Sequence, residues 1–212
     1  MMKISEINAI FEVWEQANPN PKTELNYDSP YELLVAVVLS AQSTDRQVNI
    51  VTEQLFSMAN SPSKMLELGE KKLIQIIQSI GLYRSKAANI IKLSQLLVEK
   101  YCEVIPSTLE ALISLPGVGV KTANVVLNVL YGLPTIAVDT HVFRVSNRLG
   151  FVHAKTVEQA QKQLPMVVPD NYKKYAHHWM ILHGRYVCQA KKPLCSSCGI
   201  WRYCQWEKKH AP

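Results

Sequence analysis

Apolar residues recur along most of the chain at steps of three and four positions, the spacing that aligns side chains on one face of an α-helix. The first apolar stripe consists of Ile4, Ile7, Ile10, Phe11 and Trp14. Asn18–Pro21 follows it, and its two prolines predict that the helix ends there. No Asn-Gly or Asp-Gly pair joins two segments of alternating apolar and polar residues, so nothing in the chain predicts a β-hairpin. The pattern predicts an all-α fold.

Capping residues predict where several helices begin and end. Ser29-Pro30 predicts a helix start, because serine caps the first turn and proline fits the first helical position. The following segment, Leu33–Leu39, is apolar on every side, so we expect a buried central helix. Ser107–Glu110 has the pattern of a capping box, and Gly81 follows an apolar stripe at a position typical of a helix C-terminus.

The composition indicates a globular protein with a basic surface. Hydrophobic residues make up 48% of the 212 residues and charged residues 19%, proportions typical of a chain with a packed core. There is no apolar run of membrane-spanning length and no signal-peptide core, so we expect a cytoplasmic protein with no membrane association. The net charge of +6 makes a polyanion a candidate partner, although charge alone does not identify one.

Four of the five cysteines lie close together near the C-terminus: Cys188, Cys195, Cys198 and Cys204. Without an export signal, structural disulfides are not expected. Four thiolates within 17 residues would repel one another unless a cation held them. Zinc sites usually contain two close pairs, whereas here a single cysteine flanks one close pair on either side, so spacing alone leaves zinc and an iron–sulfur cluster open. Cys102 lies apart in an apolar stretch, where we expect a small buried thiol.

The segment between the first two of these cysteines, Gln189–Leu194, contains Lys191 and Lys192. A bound metal would pin both ends of this loop and hold two cations at a fixed place, as a contact to DNA phosphates requires. Taken by itself, the segment fits an ordinary solvated basic loop equally well.

A glycine-containing hairpin, Leu115–Gly119, separates two helical stretches. Gly117 and Gly119 allow a tight turn and close approach of a ligand, and the N-terminus of the following helix attracts an anion. This helix-hairpin-helix pattern is typical of DNA phosphate contacts that do not read sequence. Lys121 lies in the first turn of the second helix, where the dipole and partial burial would disfavour its charge, and a partly neutral lysine can form a Schiff base. Its position alone also fits an ordinary exposed lysine.

Asp139 immediately precedes another helical stretch, which Gly150 is expected to close. Locally, Asp139 is predicted to be the N-cap of that helix. A capping carboxylate is held rigidly and stays ionised, as an electrostatic partner of a cationic transition state must be. The structural and the catalytic interpretations of Asp139 are therefore compatible.

These elements, in this order, resemble the helix-hairpin-helix family of DNA glycosylases over nearly the whole chain. The segments that carry the resemblance are Leu39–Asp45, Gly81–Tyr83, Leu115–Asn128, Thr135–Arg144, His177–Trp179, Leu182–Tyr186 and the four C-terminal cysteines. Any one segment could occur by chance. The lysine hairpin, the Val-Asp-Thr-His segment around Asp139 and the cysteine spacing are together highly specific.

The resemblance implies a fold of two lobes. A six-helix barrel lobe that includes the helix-hairpin-helix would cover residues 23–133. An iron–sulfur lobe would join residues 1–22 to residues 134–212, and the active site would lie in the cleft between the lobes. The four cysteines would hold a structural 4Fe–4S cluster.

The resemblance also implies an activity in base excision repair, on double-stranded DNA with a damaged pyrimidine or an abasic site. A monomeric enzyme would remove oxidised or ring-saturated pyrimidines and cleave the abasic site by β-elimination. Lys121 aligns with the family's Schiff-base nucleophile and Asp139 with its catalytic aspartate. Gln42 aligns with the residue that fills the gap left by the extruded nucleotide, and Leu82 with the wedge beside it.

The chain departs from the family pattern beside the hairpin. Ile113 stands where some members have an acidic residue, and Val120 where a basic one is common. These changes alter the charge around Lys121 without removing a proposed catalytic group. The sequence assigns no role to His141, His178 and His183.

Two other functions fit parts of the sequence. A monofunctional mismatch glycosylase of the same superfamily would share the cluster but lack a lysine at the position of Lys121. A non-catalytic DNA-binding or redox-sensing iron–sulfur module would need neither Lys121 nor Asp139. Covalent trapping on damaged DNA distinguishes these functions from a lyase.

Overall fold

The computed structural model describes residues 2–210, and over this range it is helical without a β-strand. Its α-helices, numbered in chain order, are α1 (Ile4–Ala17), α2 (Pro30–Ser40), α3 (Asp45–Met58), α4 (Pro62–Ile77), α5 (Tyr83–Tyr101), α6 (Leu109–Ile113), α7 (Val120–Tyr131), α8 (Thr140–Leu149), α9 (Val157–Val167) and α10 (Asp170–Tyr186). Two single-turn 3-10 helices follow, at Cys195–Ser197 and Trp201–Tyr203. The all-α fold predicted from the apolar periodicity is confirmed.

The chain divides into two compact units. The first, Thr23–Tyr131, contains α2 to α7, and we call it the continuous unit. The second joins Met1–Lys22 to Gly132–Pro212 and contains α1, α8 to α10 and the cysteine segment, and we call it the discontinuous unit. Each unit has a hydrophobic core of its own.

Helix α2 lies at the centre of the continuous unit. Ser29 Oγ accepts a hydrogen bond from the Glu32 amide at 3.2 Å, and proline occupies the first helical position, as predicted. Every residue of Leu33–Leu39 is buried. The hydroxyls of Tyr31 and Ser94 form a buried hydrogen bond of 2.6 Å that joins α2 to α5. The prediction of a buried central helix is therefore confirmed.

Three local predictions for this unit are wrong. Helix α4 ends before Gly81, and Gly81 does not adopt the left-handed backbone that typically ends a helix. Thr108 caps α6 with its own hydroxyl, so Ser107–Glu110 is not a capping box. Cys102 is exposed, because a left-handed conformation with φ of 48° ends α5 there and turns the chain out of the apolar stripe.

An aromatic cluster forms the core of the discontinuous unit. Phe11 of α1 is fully buried. Its ring centroid lies 5.1–6.0 Å from the ring centroids of Trp14, Phe151, Tyr172 and Trp179. The cluster therefore joins the chain's first helix to segments more than a hundred residues later in the sequence. No helix within residues 2–210 has both the length and the apolar composition needed to cross a membrane.

Candidate functional site

The hairpin between α6 and α7 depends on Gly117. Gly117 has φ of +79°, and a Cβ at this position would lie 2.9 Å from Cβ of Asn89 on α5. Both the positive φ and the close approach to α5 make a side chain at this position destabilising. Gly117 is therefore required by the fold of the continuous unit itself.

Gly119 occupies a different environment. Its carbonyl accepts from the Ala123 amide at 2.9 Å, which makes it the residue that precedes the first turn of α7. Apart from Gly119 and its two neighbours in the chain, no described residue has an atom within 4 Å of the position that a Cβ would take at Gly119. Because glycine has no side-chain oxygen, it cannot cap the first-turn amides of α7, which suits them to an external anion.

Lys121 lies in the first turn of α7, and its side chain is exposed. The partial burial that the sequence suggested is therefore not found. Ile113 and Val120, the two departures from the family pattern, are 43% and 49% exposed. They change the polarity of the surface around the hairpin and not the packing beneath it.

The backbone segments that contain Gln42 and Leu82 lie next to each other in the continuous unit. Both have left-handed backbones, with φ of 56° and 58°, which for a residue other than glycine costs on the order of 1–2 kcal/mol. The Gln42 carbonyl packs against Gly81, where a Cβ would lie 3.3 Å away. Both side chains are exposed, Leu82 at 60%. Gln42 and Leu82 therefore both have strained backbones and exposed side chains, and their chain segments touch at Gly81.

Lys86 lies directly beneath this pair and was missed by the sequence reasoning. Its side chain is only 5% exposed, and Nζ donates to the carbonyl oxygens of Leu39 and Ala41 at 2.9 and 2.5 Å. Burial lowers the pKa of Lys86 below its ordinary value. The available signal was its position one turn before Ile90, in register with the buried stripe of α5.

Asp139 begins α8 in the discontinuous unit, so it and Lys121 lie in different units. Asp139 Oδ1 accepts from the Val142 amide at 2.8 Å, which confirms the predicted N-cap. At the other end of α8, Gly150 adopts φ of 85°, as a helix-ending glycine is expected to do. The carboxylate is half-buried.

The segment before Asp139 is held by two side chains to which the sequence analysis gave no role. The Gln161 amide of α9 accepts from the Val138 N–H at 3.0 Å and donates to the Ile136 carbonyl at 2.6 Å. His177 Nδ1 donates to the Ala137 carbonyl at 2.6 Å. Ile136–Val138 is buried, so the direction of the backbone that leads to Asp139 is fixed.

The four C-terminal cysteines line a single recess of the discontinuous unit, and each is half-buried with a free thiol. Most other lining side chains are apolar, including Leu149, Val187, Leu194, Trp201 and Trp206. Burial raises the pKa of the Cys198 and Cys204 thiols, and the neighbouring cysteines raise it further. In the described part of the chain, no three His, Cys, Asp or Glu side chains converge on one metal-ion position. A cationic group shared by all four sulfurs would offset their mutual repulsion and their desolvation.

Arg148 of α8 anchors the loop that carries Lys191 and Lys192. One guanidinium nitrogen lies 3.4 Å from Sγ of Cys188 and donates to the Gln189 carbonyl at 2.9 Å. The other donates to the Ala190 carbonyl at 3.0 Å. The base of the loop is therefore held by an arginine, while both lysines are exposed.

The three unassigned histidines have distinct environments. His178 and His183 are buried, and burial lowers the pKa of each to about 4. His183 Nε2 lies 3.8 Å from Sγ of Cys198. His141 Nδ1 lies 3.2 Å from a guanidinium nitrogen of Arg144, which also donates to the Gly184 carbonyl. His183 thus contacts a C-terminal cysteine, and His141 contacts Arg144, whose Nε donates to the Cys188 carbonyl.

Comparisons with known proteins give consistent results. Residues 35–170 match the model of the HhH-GPD superfamily of base excision DNA repair proteins. Endonuclease III of Rickettsia conorii is 52% identical over 205 residues, covering 97% of this chain and 98% of that protein. Endonuclease III of Escherichia coli K12 is 55% identical over 192 residues, 91% of each chain. The structure of a trapped endonuclease III–DNA covalent intermediate has a TM-score of 0.90 at 44% identity and covers 97% of each chain.

Proposed function

Because the chain belongs to the endonuclease III family of HhH-GPD base excision DNA repair proteins, we propose that Lys121 is its nucleophile and Asp139 its catalytic carboxylate. The enzyme is a DNA glycosylase and abasic-site lyase. The observation that carries the assignment of Lys121 is its exposed position in the first turn of α7, directly after a glycine hairpin suited to a phosphate.

The substrate is double-stranded DNA with an oxidised or ring-saturated pyrimidine, or with an abasic site. A damaged base stacks and pairs poorly, so its extrusion costs less free energy than that of an intact base. The neutral amine of Lys121 attacks C1′ of the sugar. The bond from C1′ to the base breaks, and the base leaves with the bonding electrons and takes up a proton. The C1′–O4′ bond then breaks as the nitrogen lone pair forms a C1′=N bond, O4′ takes up a proton from solvent, and a protonated Schiff base joins C1′ to Lys121.

Strand cleavage follows from the Schiff base, which withdraws electrons from C2′ and acidifies its protons. Loss of one C2′ proton breaks the C3′–O bond, and the phosphate leaves with the bonding electrons. Water then hydrolyses the Schiff base and frees Lys121. Asp139 stabilises the positive charge that develops at the sugar while the base departs, and its N-cap hydrogen bond restricts where that carboxylate can lie.

Six other residues are proposed to bind the DNA without taking part in bond breaking. The hairpin glycines, Gly117 and Gly119, allow a phosphate to approach the first-turn amides of α7. Gln42 enters the gap left by the extruded nucleotide, and Leu82 separates the neighbouring bases. Lys191 and Lys192 contact phosphates from the cysteine loop.

We also propose that the protein holds one 4Fe–4S cluster and acts as a monomer. Cys188, Cys195, Cys198 and Cys204 would be the ligands, because they share one recess lined mainly by apolar side chains. The bound cluster would brace the chain's C-terminal segment and supply no hydrolytic chemistry. The Arg148 guanidinium, beside Cys188, would partly offset the negative charge of thiolate ligands.

Borohydride trapping tests the assignment of Lys121. The intact enzyme should form a covalent adduct with a duplex that contains thymine glycol, because reduction captures the Schiff base. Lys121→Ala should form no adduct and should keep its affinity for undamaged duplex within about twofold, since one lysine contributes little to total phosphate binding. Denaturing gel electrophoresis of labelled DNA measures both adduct and strand cleavage.

The two other functions predict different results. Base release without an adduct or a nick from the intact protein would indicate a monofunctional mismatch glycosylase. Binding without any base release would indicate a non-catalytic module. Either result would contradict the proposed role of Lys121.

Spectroscopy and metal analysis test the cluster. The purified protein should be brown, with broad absorption at about 400 nm from sulfur-to-iron charge transfer and about four irons per chain. Cys198→Ser should lose most of this absorption. A colourless protein with one zinc per chain would contradict the cluster assignment.

A further inference from the structure

Residues Ser40–Ser43 form a β-turn at the end of α2. The Ser43 amide donates to the Ser40 carbonyl at 3.1 Å. Ala41 has φ of −56° and ψ of 119°, and Gln42 has φ of 56°. These angles define a type II turn, whose third residue is normally glycine or asparagine because its φ is positive. Gln42 is neither, so the surrounding structure must select this conformation.

The alternative turn differs mainly in the orientation of one peptide group. In a type I turn the peptide between Ala41 and Gln42 would be rotated by about half a turn, and Gln42 would take a negative φ that any residue accepts. Lys86 Nζ donates to the Ala41 carbonyl at 2.5 Å, and this is the oxygen whose direction distinguishes the two turns. The ammonium therefore favours the strained orientation directly.

Lys86 makes further contacts with the residues around Gln42 and with Leu82. Nζ also donates to the Leu39 carbonyl, and it lies 3.3 Å from Oγ of Ser43. All three acceptors are neutral oxygens, and the carbonyl end of α2 is the negative end of its helix dipole, which favours a cation there. The backbone amide of Lys86 donates to the carbonyl of the left-handed Leu82 at 3.0 Å. One residue thus contacts the backbone next to Gln42 and at Leu82.

We propose that Lys86 is a positioning residue for nucleotide extrusion, which holds the Ala41–Gln42 peptide in the type II orientation and so keeps the Gln42 side chain placed to enter the duplex. This role rests on the proposed function of Gln42. Without the ammonium, the turn relaxes to type I, and Gln42 takes a negative φ that directs its side chain elsewhere.

The first measurement tests the turn without DNA. In Lys86→Met, which keeps the length of the buried stem, the ¹³C chemical shifts of Gln42 in the full-length protein should move from left-handed to right-handed values. Lys92→Met, an exposed lysine on the same helix, is the control and should leave them unchanged. A folded Lys86→Met variant that keeps a left-handed Gln42 would overturn the proposal.

The second measurement follows extrusion by the fluorescence of 2-aminopurine placed beside a tetrahydrofuran abasic analogue in a duplex. Lys86→Met should slow the fluorescence rise by about tenfold. This factor corresponds to the free energy needed to restore the strained Gln42 conformation before extrusion, once the ammonium no longer favours it. In a Gln42→Ala background, Lys86→Met should add less than about a twofold effect, because the residue that it positions is gone. An unchanged rate in Lys86→Met would overturn the positioning role.

Controls separate this inference from the proposed function. Gln42→Ala should itself slow extrusion, and a wild-type rate would mean that the proposed role of Gln42 fails, and with it the role of Lys86. If Lys86→Met does not fold, Lys86→Met combined with Gln42→Gly should regain a folded state, because glycine adopts the left-handed turn unaided. Failure of this double variant to fold would overturn the proposal, since Lys86 would then serve the core and not the turn.

Discussion

Asp139 combines a structural and a proposed catalytic role in one carboxylate. Its Oδ1 caps α8, while the buried segment before it is held by Gln161 and His177. The cap needs only an acceptor oxygen, which an amide also provides, whereas stabilising a cationic sugar needs a negative charge. The two roles can therefore be separated by substitution.

Asp139→Asn should keep the cap and lose the charge. We expect its free energy of unfolding to stay within about 0.5 kcal/mol of the wild type, because asparagine and aspartate are comparable N-caps. Base release should slow by about 10²–10³-fold, the usual effect of removing one electrostatic contact to a transition state. Single-turnover kinetics and thermal unfolding measure the two effects.

Asp139→Ala is the matched variant and should lose about 1 kcal/mol of stability in addition, because alanine cannot cap. Equal stability of the alanine and asparagine variants would contradict the structural role. Base release at the wild-type rate in Asp139→Asn would contradict the catalytic role.

The two hairpin glycines should respond differently to substitution. Gly117→Ala should lower the free energy of unfolding by about 1–2 kcal/mol or more, because of its left-handed backbone and the nearby Asn89. Gly119→Ser should leave stability unchanged or raise it, because serine can cap α7 and its Cβ meets open space. The same hydroxyl would compete with DNA, so affinity for undamaged duplex should fall by about tenfold.

Thermal unfolding and fluorescence anisotropy with a labelled duplex distinguish the two variants. A Gly119→Ser protein that binds DNA as tightly as the wild type would show that phosphates do not approach this turn.

At the scale of single elements, α10 brings two adjacent histidines into the core of the discontinuous unit. His177 donates to the Ala137 carbonyl, and its ring centroid lies 5.2 Å from that of His178. His178 Nδ1 has no hydrogen-bond partner among the described residues. Burial, and then the neighbouring His177, lower the pKa of His178 from 6.5 to about 4.

The lowered pKa of His178 makes the free energy of unfolding depend on pH. Above pH 6.5 His178 is neutral in both the folded and the unfolded chain, so it adds no pH dependence. As the pH falls from 6.5 to about 4, only the unfolded chain takes up the proton, and stability decreases by up to about 3 kcal/mol. His178→Gln, which cannot titrate, should lose less stability than the wild type over this window in denaturant unfolding. If the two proteins lose the same stability over this pH window, the proposed effect of His178 would be contradicted.

At the scale of the whole molecule, the net charge of +6 provides a general attraction to DNA. The proposed site predicts that particular lysines contribute more than others. Lys191 and Lys192 are exposed on a loop whose base is held by Arg148, so contact with a phosphate would cost little backbone freedom.

Replacing Lys191 and Lys192 by alanine should reduce the slope of log affinity against log salt concentration by about 2, because each phosphate contact releases about one counterion. Lys71 and Lys72, an exposed pair on α4, provide a control with the same loss of net charge. Anisotropy titrations at several salt concentrations measure the slope. Equal reductions in both variants would show that net charge matters and the cysteine loop does not.

Much of the fold was predictable because helix signals are local. The caps at Ser29 and Asp139 involve residues within one turn, and the buried stripe of α2 requires only its own apolar run. Predictions were wrong where a helix end depended on the rest of the fold. At Gly81 a Cβ would lie 3.3 Å from the Gln42 carbonyl oxygen, and α4 has already ended at Ile77.

The sequence by itself determined the helical class, the residues proposed for the chemistry and the cysteine spacing, because residue type and position along one chain carry that information. Only the tertiary structure decided which side chains hold those residues in place. Lys86 and Ala41 are 45 positions apart, and Gln161 reaches back 23 positions to Val138. No local pattern encodes such pairs, because each buried donor finds its acceptor only when separate helices have packed.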